Sequence, residues 1–368
     1  MKIISIKLLI AICILSSLIQ NNVVLGQEGG DAGDFVEIFR GGPEDATKYL
    51  ENYVAPGMLS FSNGMAAGWY NTAKTHKSLG LDLTFSLNVA NMPLSQRQFA
   101  FNESDYMMLR LVSGNSSAQL PTLVGGGTNE VMEVRVGDTY TTNGITYEYV
   151  EGRQFEAARG FDVEDVPFVG VPVPTLQLGI GLFKNTDLKL RFIPKQEFDD
   201  YSVKLFGFGI MHDVKQWIPG IKQVPIDLSI FFGTTKMTSE FSFNRADVDY
   251  RTEGTAKFEA SATTFQIVAS KKISFFTPYI GVGINSVNTS LDVAGEYSML
   301  RLLSNPLDDS SYFTSSDPIN LDFTGGGGMR TTIGFRLKLF ILTLHADYTI
   351  QKYSTLSVGL GFSFRQNT

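Results

Sequence analysis

Apolar and polar residues alternate one by one over long segments of this chain. In "LGLDLTFSLNV", residues 79–89, every odd-numbered residue is apolar and every residue between is small or polar. A period of two gives a β-strand with one apolar face, whereas a helix repeats its apolar positions every three to four residues. Eleven residues at about 3.3 Å each, tilted by about 45°, rise roughly 25 Å, the height of the apolar band of a transmembrane barrel.

The same alternation predicts eleven long strands. They span residues 59–72, 77–91, 173–183, 186–194, 200–212, 224–240, 255–271, 275–293, 328–339, 341–351 and 354–365. Beyond the N-terminal signal, no stretch reaches the 18 or so apolar residues that a membrane helix needs, so the chain would cross a bilayer only as a barrel. We therefore predict an all-β, transmembrane antiparallel barrel over residues 58–368.

A helical segment is predicted ahead of the strands, within residues 27–57. Pro43 suits the first position of a helix, an apolar stripe follows over residues 49–54, and Ala55-Pro56-Gly57 suits its end. This segment would plug the lumen or lie on the periplasmic side.

Strand parity predicts one further strand within residues 92–172. Outer-membrane barrels have even strand numbers, with both chain ends in the periplasm. Counting from both ends gives 77–91 and 173–183 the same direction, so a hidden strand near 151–162 is required. The total becomes about twelve, within a range of ten to fourteen. The rest of 92–172 would be a β-rich periplasmic excursion, and the loop 294–327 would lie outside the cell.

The chain begins with the pattern of a secretory signal. Lys2 and Lys7 precede an almost wholly apolar stretch over residues 8–19, and a small residue closes the segment 1–26. The only cysteine, Cys13, lies inside this signal. The exported chain would therefore contain no disulfide, thiol nucleophile or thiolate metal site.

Charge narrows the classes of function. Without Lys2 and Lys7, 28 of the 30 basic side chains remain against 37 acidic ones, a net charge of −9. Nucleic-acid binding needs a basic footprint, so this balance argues against it. Aromatic residues at 12% and 36 glycines suit a barrel whose apolar outer residues are diluted by polar inner ones.

Three stretches carry a resemblance to a known family: "AGWYNTAKTHKSLGLDLTF", "FGIMHDVKQWIPGIKQVPIDLS" and "SVGLGFSF". They resemble an uncharacterised Bacteroidota family of outer-membrane β-barrel proteins of unknown function. The resemblance spans most of the exported chain and implies a barrel in the outer membrane. It implies no catalytic residue, cofactor or activity.

The last predicted strand resembles the C-terminal targeting strand that the barrel-assembly machinery reads in outer-membrane proteins. Apolar residues alternate with serine and glycine up to the aromatic Phe364, although Arg365 and three further residues follow it. The resemblance implies that this machinery is a partner during biogenesis.

Eight polar residues are predicted to face the lumen, because they alternate with residues assigned to lipid. They are Asp82, Lys189, Arg191, Asp227, Arg336, Lys338, His345 and Asp347. A charge on the lipid face at mid-bilayer costs about 2–4 kcal/mol, whereas a charge in the lumen is tolerated and can tune selectivity. These residues would either brace the interior by pairing with each other or guide a solute.

No arrangement of residues predicts an enzyme. Of the three histidines, His76 is predicted in an outer turn and His212 at a periplasmic strand end. His345 and Asp347 share a face, but no serine motif accompanies them. We therefore expect no catalysis, no cofactor and no bound metal.

Two functions remain open. The first is a passive channel for a small or apolar solute, similar in architecture alone to the fatty-acid-transporter type, with a lumen partly closed by residues 34–57 or 92–172. The second is a non-conducting structural or accessory barrel that supports envelope integrity or a secretion or surface-attachment complex. The expected partners are outer-membrane lipid, the barrel-assembly machinery and, for the channel, a small solute.

Overall fold

The structure is a computed structural model of the chain. It describes residues 38, 43–134, 139–142, 145–148, 154–160, 170–198, 200–220, 223–246, 250–300, 312–315 and 319–366. The predicted signal peptide, 1–26, lies outside these residues. Within the described ranges, no helix is both long and apolar enough to cross a membrane.

Ten antiparallel strands of the described chain form a closed ring. They are β1 (His76–Ala90), β2 (Val171–Gly181), β3 (Thr186–Phe198), β4 (Tyr201–Asp213), β5 (Asp227–Ala246), β6 (Tyr250–Ser270), β7 (Phe276–Leu300), β8 (Gly328–Leu339), β9 (Leu342–Ile350) and β10 (Thr355–Gln366). Each strand pairs with its neighbours in sequence, and β1 pairs with β10, so the ring has no open edge. The predicted all-β antiparallel barrel is confirmed, with ten strands rather than about twelve.

The outer face of the ring carries a continuous apolar band. On β10, Leu356, Val358, Leu360, Phe362 and Phe364 are all exposed, while the serines between them are buried. On β7 the outward residues are apolar from Phe276 to Ile284 and polar from Ser286 to Asp292. Nine residues at about 3.3 Å each, tilted by about 40°, give a band roughly 23 Å tall, which matches the apolar band of a transmembrane barrel.

The two ends of the ring differ in the length of their connections. At the end where β1 begins and β10 ends, which we call the base, the longest connection is residues 214–226. The opposite end, which we call the cap end, holds the connections 91–170 and 301–327. Long connections therefore cluster at one end, as they do on the extracellular side of outer-membrane barrels.

Small sheets cover the cap end. We call the described residues of 91–160 and 312–323 the cap. Its strands are Gln98–Asn102, Leu109–Leu111, Ser117–Pro121, Val131–Val134, Thr139–Thr142, Ile145–Glu148, Gln154–Glu156, Tyr312–Ser315 and Ile319–Phe323, and its 3₁₀ turns are Leu94–Gln96 and Glu103–Asp105. The last two strands pair with the upper part of β7. A third 3₁₀ turn, Lys215–Trp217, lies at the base.

Among the described residues, the helix α1 (Pro43–Met65) lies ahead of the ring. It extends past the predicted end at Pro56 and occupies residues predicted as a strand, so the strand 59–72 is wrong. Pro56 lacks the N–H that would bond the Asn52 carbonyl in a continuous helix. The following carbonyl, that of Tyr53, accepts a hydrogen bond of 2.8 Å from the Leu123 N–H. The cap thus provides a partner for a carbonyl beside the proline.

Without a strand at 59–72, the conflict between the predicted directions of 77–91 and 173–183 also disappears. With β1 as the first strand, β1 and β2 run in opposite directions without a hidden strand between them. Of the predicted strand near 151–162, residues 154–160 are described, and the strand among them, Gln154–Glu156, pairs with Val131–Val134 away from the ring. The excursion 92–172 accordingly lies at the cap end with 301–327, not at the opposite end as predicted.

Candidate functional site

The lumen of the ring is occupied by α1 and by residues 66–75, which we call the descending segment. The front of α1 packs against the cap, and Ser60 Oγ donates to the Ala90 carbonyl at the cap end of β1. At the base, Ala73 N–H donates to Ser270 Oγ and the Ala73 carbonyl accepts from Ser229 Oγ. The chain therefore runs through the lumen from cap end to base before β1 begins.

Asp45 anchors the front of α1 to the cap. Its carboxylate is 2% exposed and accepts three backbone hydrogen bonds, from the N–H groups of Met107, Met108 and Leu109, at 2.8, 2.8 and 3.0 Å. Charge-assisted bonds to backbone N–H groups are stronger than neutral ones. The helix and the cap are thus joined by a carboxylate with several donors.

The middle of α1 meets two different walls. On one side, Phe61 and Met65 pack in an apolar cluster with inward residues of β4 and β5, among them Leu205 and Met237. On the side of β7, where Val287 belongs to the same cluster, α1 also forms hydrogen bonds, Ser62 Oγ to Thr289 Oγ1 at 2.7 Å and Asn285 Nδ2 to Asn63 Oδ1 at 2.9 Å. The helix is thus buried on its apolar and its polar faces alike.

Two arginines hold the end of α1 from opposite sides of the ring. Arg191 on β3 donates to the carbonyls of Met65 and Ala67 at 2.8 and 2.7 Å. Arg330 on β8, five strands away, donates to the Ala66 carbonyl at 3.0 Å. Cations at a helix C-terminus satisfy its free carbonyls and oppose the negative end of its dipole. We call these two residues the arginine clamp.

Trp69 fills the lumen just below the clamp. The Arg191 guanidinium lies 3.7 Å from the centre of its ring. Glycines on the wall make room for the indole, because Cβ atoms built on Gly207, Gly209 and Gly233 would lie 3.0–3.2 Å from it. Side chains at this level are almost completely buried, so the clamp and Trp69 close this section of the lumen.

A tyrosine pair lies beside the clamp. Tyr70 donates to Gln266 Oε1 at 2.6 Å, and Tyr279 donates to Asp347 Oδ2 at 2.8 Å. A cavity of about 10 Å³, lined in part by Arg330 and Asp347, has room for roughly one water molecule. Asp347 is thus held by a phenol.

A buried histidine locks the base. His76 Nδ1 lies 2.9 Å from Asp187 Oδ2, His76 Nε2 lies 3.0 Å from Ser363 Oγ, and Lys338 Nζ donates to Ser363 Oγ at 3.2 Å. This connectivity is that of a Ser-His-Asp triad. The three triad residues are at most 3% exposed. Here the arrangement joins β1, β3 and β10 at the base, and we call it the base lock.

Between the clamp and the base lock, several charged residues point inward. Asp82, Lys189, Arg336 and His345 are buried, and Lys338 is half-buried. Thr84 Oγ1 donates to Asp82 at 2.7 Å, and Ser86 Oγ lies 3.4 Å from His345 Nε2. In the described part of the chain, no group of three or more potential metal ligands occurs.

One family model matches almost the whole chain. A model of a family of unknown function (DUF6588) matches residues 1–364. The chain belongs to this family. No curated protein matches it. Membership in the DUF6588 family therefore brings no activity with it.

The chain is also similar to several solved barrels. The translocator domain of autotransporter NalP from Neisseria meningitidis is 9% identical, with a TM-score of 0.28, over 79% of this chain and 90% of that one. The Pseudomonas putida toluene transporter TodX is 8% identical, with a TM-score of 0.23, over 80% and 95%. A mutant Rh. blastica porin is 10% identical, with a TM-score of 0.14, over 78% and 99%.

The eight predicted lumen residues of this DUF6588 member fall into three groups. Arg191 belongs to the clamp, and Asp347 lies beside it. Asp82, Lys189, Arg336, Lys338 and His345 lie below, and Asp227 is half-buried at the base end of β5. The structure does not bring His345 and Asp347 into hydrogen-bond contact.

Three groups of site residues have no signal in the sequence. Met65 and Ala67 contribute only backbone carbonyls, which any residue carries. His76 was predicted in an outer turn, which is wrong, because it begins β1 at the base. Asp187 and Ser363 are 111 and 287 positions from His76, so no local motif joins the base lock.

Proposed function

We propose that this chain is an outer-membrane barrel closed by its own N-terminal segment, with an accessory or structural role rather than that of an open channel. The observation that carries the proposal is the arginine clamp. Arg191 and Arg330 reach across the lumen from opposite walls to the same turn of backbone. Opening the lumen at this level requires that these bonds break.

The energetics favour the closed lumen. Each of the three bonds in the clamp is charge-assisted and contributes about 1.5–3 kcal/mol. Withdrawal of α1 would also expose the apolar cluster around Met65 and would leave two buried guanidinium groups without partners. Thermal motion alone would open such a lumen only rarely.

The cap is the natural working surface of an accessory barrel. It lies at the end with the long connections, which in outer-membrane barrels faces the exterior. We therefore propose that the cap is displayed outside the cell and the base faces the periplasm. Outer-membrane lipid around the apolar band and the barrel-assembly machinery during biogenesis are the partners that this proposal includes.

Catalysis has no part in the proposal. The base lock has the connectivity of a hydrolase triad, but Ser363 is 1% exposed. A Cβ built on Gly80 would lie 2.8 Å from His76 Cβ, so the backbone is packed directly against the histidine. A substrate would have no access to the serine hydroxyl.

Planar-bilayer recordings of the purified protein test the closed lumen. We expect no conductance from the natural chain, brief openings from the double variant Arg191→Ala/Arg330→Ala, and a persistent pore when residues 43–65 are deleted. Lys257→Ala, on the outer face of β6, is the control and should remain silent. Steady conductance from the natural chain would overturn the proposal.

Thiol labelling of whole cells tests the orientation, because the exported chain is expected to have no cysteine of its own. Asn115→Cys in the cap and Lys272→Cys at the base are both at exposed positions. An impermeant maleimide should label the first on intact cells and the second only after the outer membrane is opened. The reverse pattern would contradict an external cap.

A second candidate is a gated route for an apolar solute. The observation in its favour is the apolar inner wall of β4 and β5, where Val203, Leu205 and Met237 face α1. If α1 moved aside, this wall would offer an apolar lining, which is unusual for an aqueous pore. Uptake of an apolar dye by cells that carry the natural chain, above a strain without it, would favour this candidate.

A further inference from the structure

One edge of the Arg336 guanidinium is buried and unpaired. Arg336 is 2% exposed, and neither its Nε nor its Nη2 has a hydrogen-bond partner among the described residues. These two nitrogens lie on the same side of the planar group, and their N–H bonds run parallel. A parallel pair of donors matches the two oxygens of a carboxylate or phosphate.

Two more unpaired polar groups lie next to this edge. His345 pairs directly with Arg336 across β8 and β9, and Thr343 is the next inward residue on β9. In the described structure, His345 Nδ1 and Thr343 Oγ1 both lack partners. Directly opposite residues have Cβ atoms about 5 Å apart and diagonal ones about 7–8 Å, so one small ligand can reach all three side chains.

The surroundings carry an excess of positive charge. Asp82, on β1, is aligned with Lys189 on β3 through Gly179 of β2. Three cations, Lys189, Arg336 and Lys338, lie in the same part of the lumen as this one carboxylate. The neighbouring carboxylates are already engaged, Asp187 by His76 and Asp347 by Tyr279.

Ion pairs within the barrel do not account for the unpaired edge of Arg336. In the described structure no carboxylate forms an ion pair with Arg336, whereas Arg191 and Arg330 both use their guanidinium groups on carbonyls. Lys338, the next inward residue of β8 toward the base, is half-buried and donates to Gln366 near the end of β10 at 3.2 Å.

We propose that Arg336, together with His345 and Thr343, binds a small oxyanion. The shared chemistry is a carboxylate or phosphate group held by the Nε and Nη2 donors of Arg336, with Lys189 and Lys338 supplying positive charge. This site lies below the arginine clamp. It does not depend on whether the barrel conducts.

Calorimetric titration of the full chain in detergent tests the site, with inorganic phosphate and acetate as probes in chloride at constant ionic strength. We expect saturable binding of at least one probe. Arg336→Gln should weaken it tenfold or more, and Arg336→Lys should also weaken it, because lysine keeps the charge but loses the parallel donors. Arg365→Gln, an exposed cation at the base, is the control and should bind as the natural chain does.

The outcomes separate a built site from general attraction. Stronger binding of phosphate than acetate, or the reverse, identifies the group that fits. Absence of saturation, equal binding by Arg336→Gln, or equal competition by chloride would overturn the proposal. If Arg336→Gln does not fold, as judged by heat-dependent mobility on gels, crystals grown with selenate replace it. A selenium signal within hydrogen-bond distance of Arg336 supports the site, and its absence there refutes it.

Discussion

The guanidinium of Arg191 stacks 3.7 Å from the centre of the Trp69 ring while it donates to the carbonyls of Met65 and Ala67. One side chain on β3 thus holds both the end of α1 and the start of the descending segment. Five strands away Arg330 holds the carbonyl between those two. The closed lumen depends on this arrangement.

Replacement of Arg191 should loosen the barrel. Arg191→Ala leaves two buried carbonyls without donors, so we expect a loss of about 2–5 kcal/mol in the free energy of unfolding. The stability of Arg191→Lys should lie between those of the natural chain and Arg191→Ala. One ammonium cannot reproduce the two parallel hydrogen bonds of the guanidinium or its stacking on Trp69. The temperature at which the folded band disappears on gels measures the effect. Lys204→Ala, exposed on β4, should leave it unchanged, and an equal effect of both alanine variants would contradict this account.

Asp45 should hold the cap on the barrel. Asp45→Ala leaves the N–H groups of residues 107–109 without an acceptor, at a cost of about 1–3 kcal/mol for each group that stays buried. We therefore expect faster proteolysis of the cap in the variant, with the ring itself intact. Glu44→Ala changes the adjacent exposed carboxylate and is the matched control. Cap proteolysis at the same rate in both variants would show that Asp45 is not the anchor.

Gly68 should tolerate no side chain. Its φ of +69° is in the left-handed region, and a Cβ there would lie 2.5 Å from Asn88 Oδ1. Gly220 has a similar φ of +85°, but nothing lies within 4 Å of its Cβ position. Both alanine variants should lose about 1 kcal/mol from backbone strain, and only Gly68→Ala should lose more. Equal thermal shifts would mean that the contact with Asn88 relaxes freely.

The base lock should be inert toward serine-directed reagents. Because Ser363 is buried, we expect a fluorophosphonate probe to leave the folded chain unlabelled, beside a known serine hydrolase as the positive control. Ser363→Ala should cost about 1 kcal/mol and Asp187→Ala about 2–4 kcal/mol, because the aspartate holds both the backbone and the ring of His76. Labelling that disappears in Ser363→Ala would instead identify a catalytic serine.

The apolar band should reject charge. Val282 and Asn288 both point outward on β7, the first within the band and the second beyond it. Val282→Lys should cost about 2–4 kcal/mol and reduce the yield of folded barrel in membranes, whereas Asn288→Lys should cost little. Quantitative gels of membrane fractions make the comparison. Similar yields would mean that Val282 does not contact lipid.

The strands were largely predictable because hydrocarbon imposes a strict rule on every second residue. Leu356 to Phe364 on β10 obey it without exception, and so do the outward residues of β2 and β9. The same rule assigned Arg191 and Arg336 to the interior before any contact was known. It applies only to residues that contact lipid.

Residues inside the lumen follow no such rule. Ser60, Phe61 and Ser62 alternate like a strand, yet they belong to α1, which makes both apolar and hydrogen-bonded contacts with the wall that encloses it. A helix surrounded by protein shows no amphipathic period, so its second half was predicted as a strand. That single error produced the extra strand near 151–162 and the wrong side for residues 92–172.

The pairing of β1 with β10 sets an order on assembly. Residues 91–354 lie between the two strands, and contacts so distant in sequence form slowly. If α1 entered after the ring had closed, the N-terminal end of the helix would have to pass through the whole ring, past Arg191 and Arg330. We therefore expect β1 and β10 to pair only when α1 already lies in the lumen. The helix is then enclosed in the same step that completes the barrel.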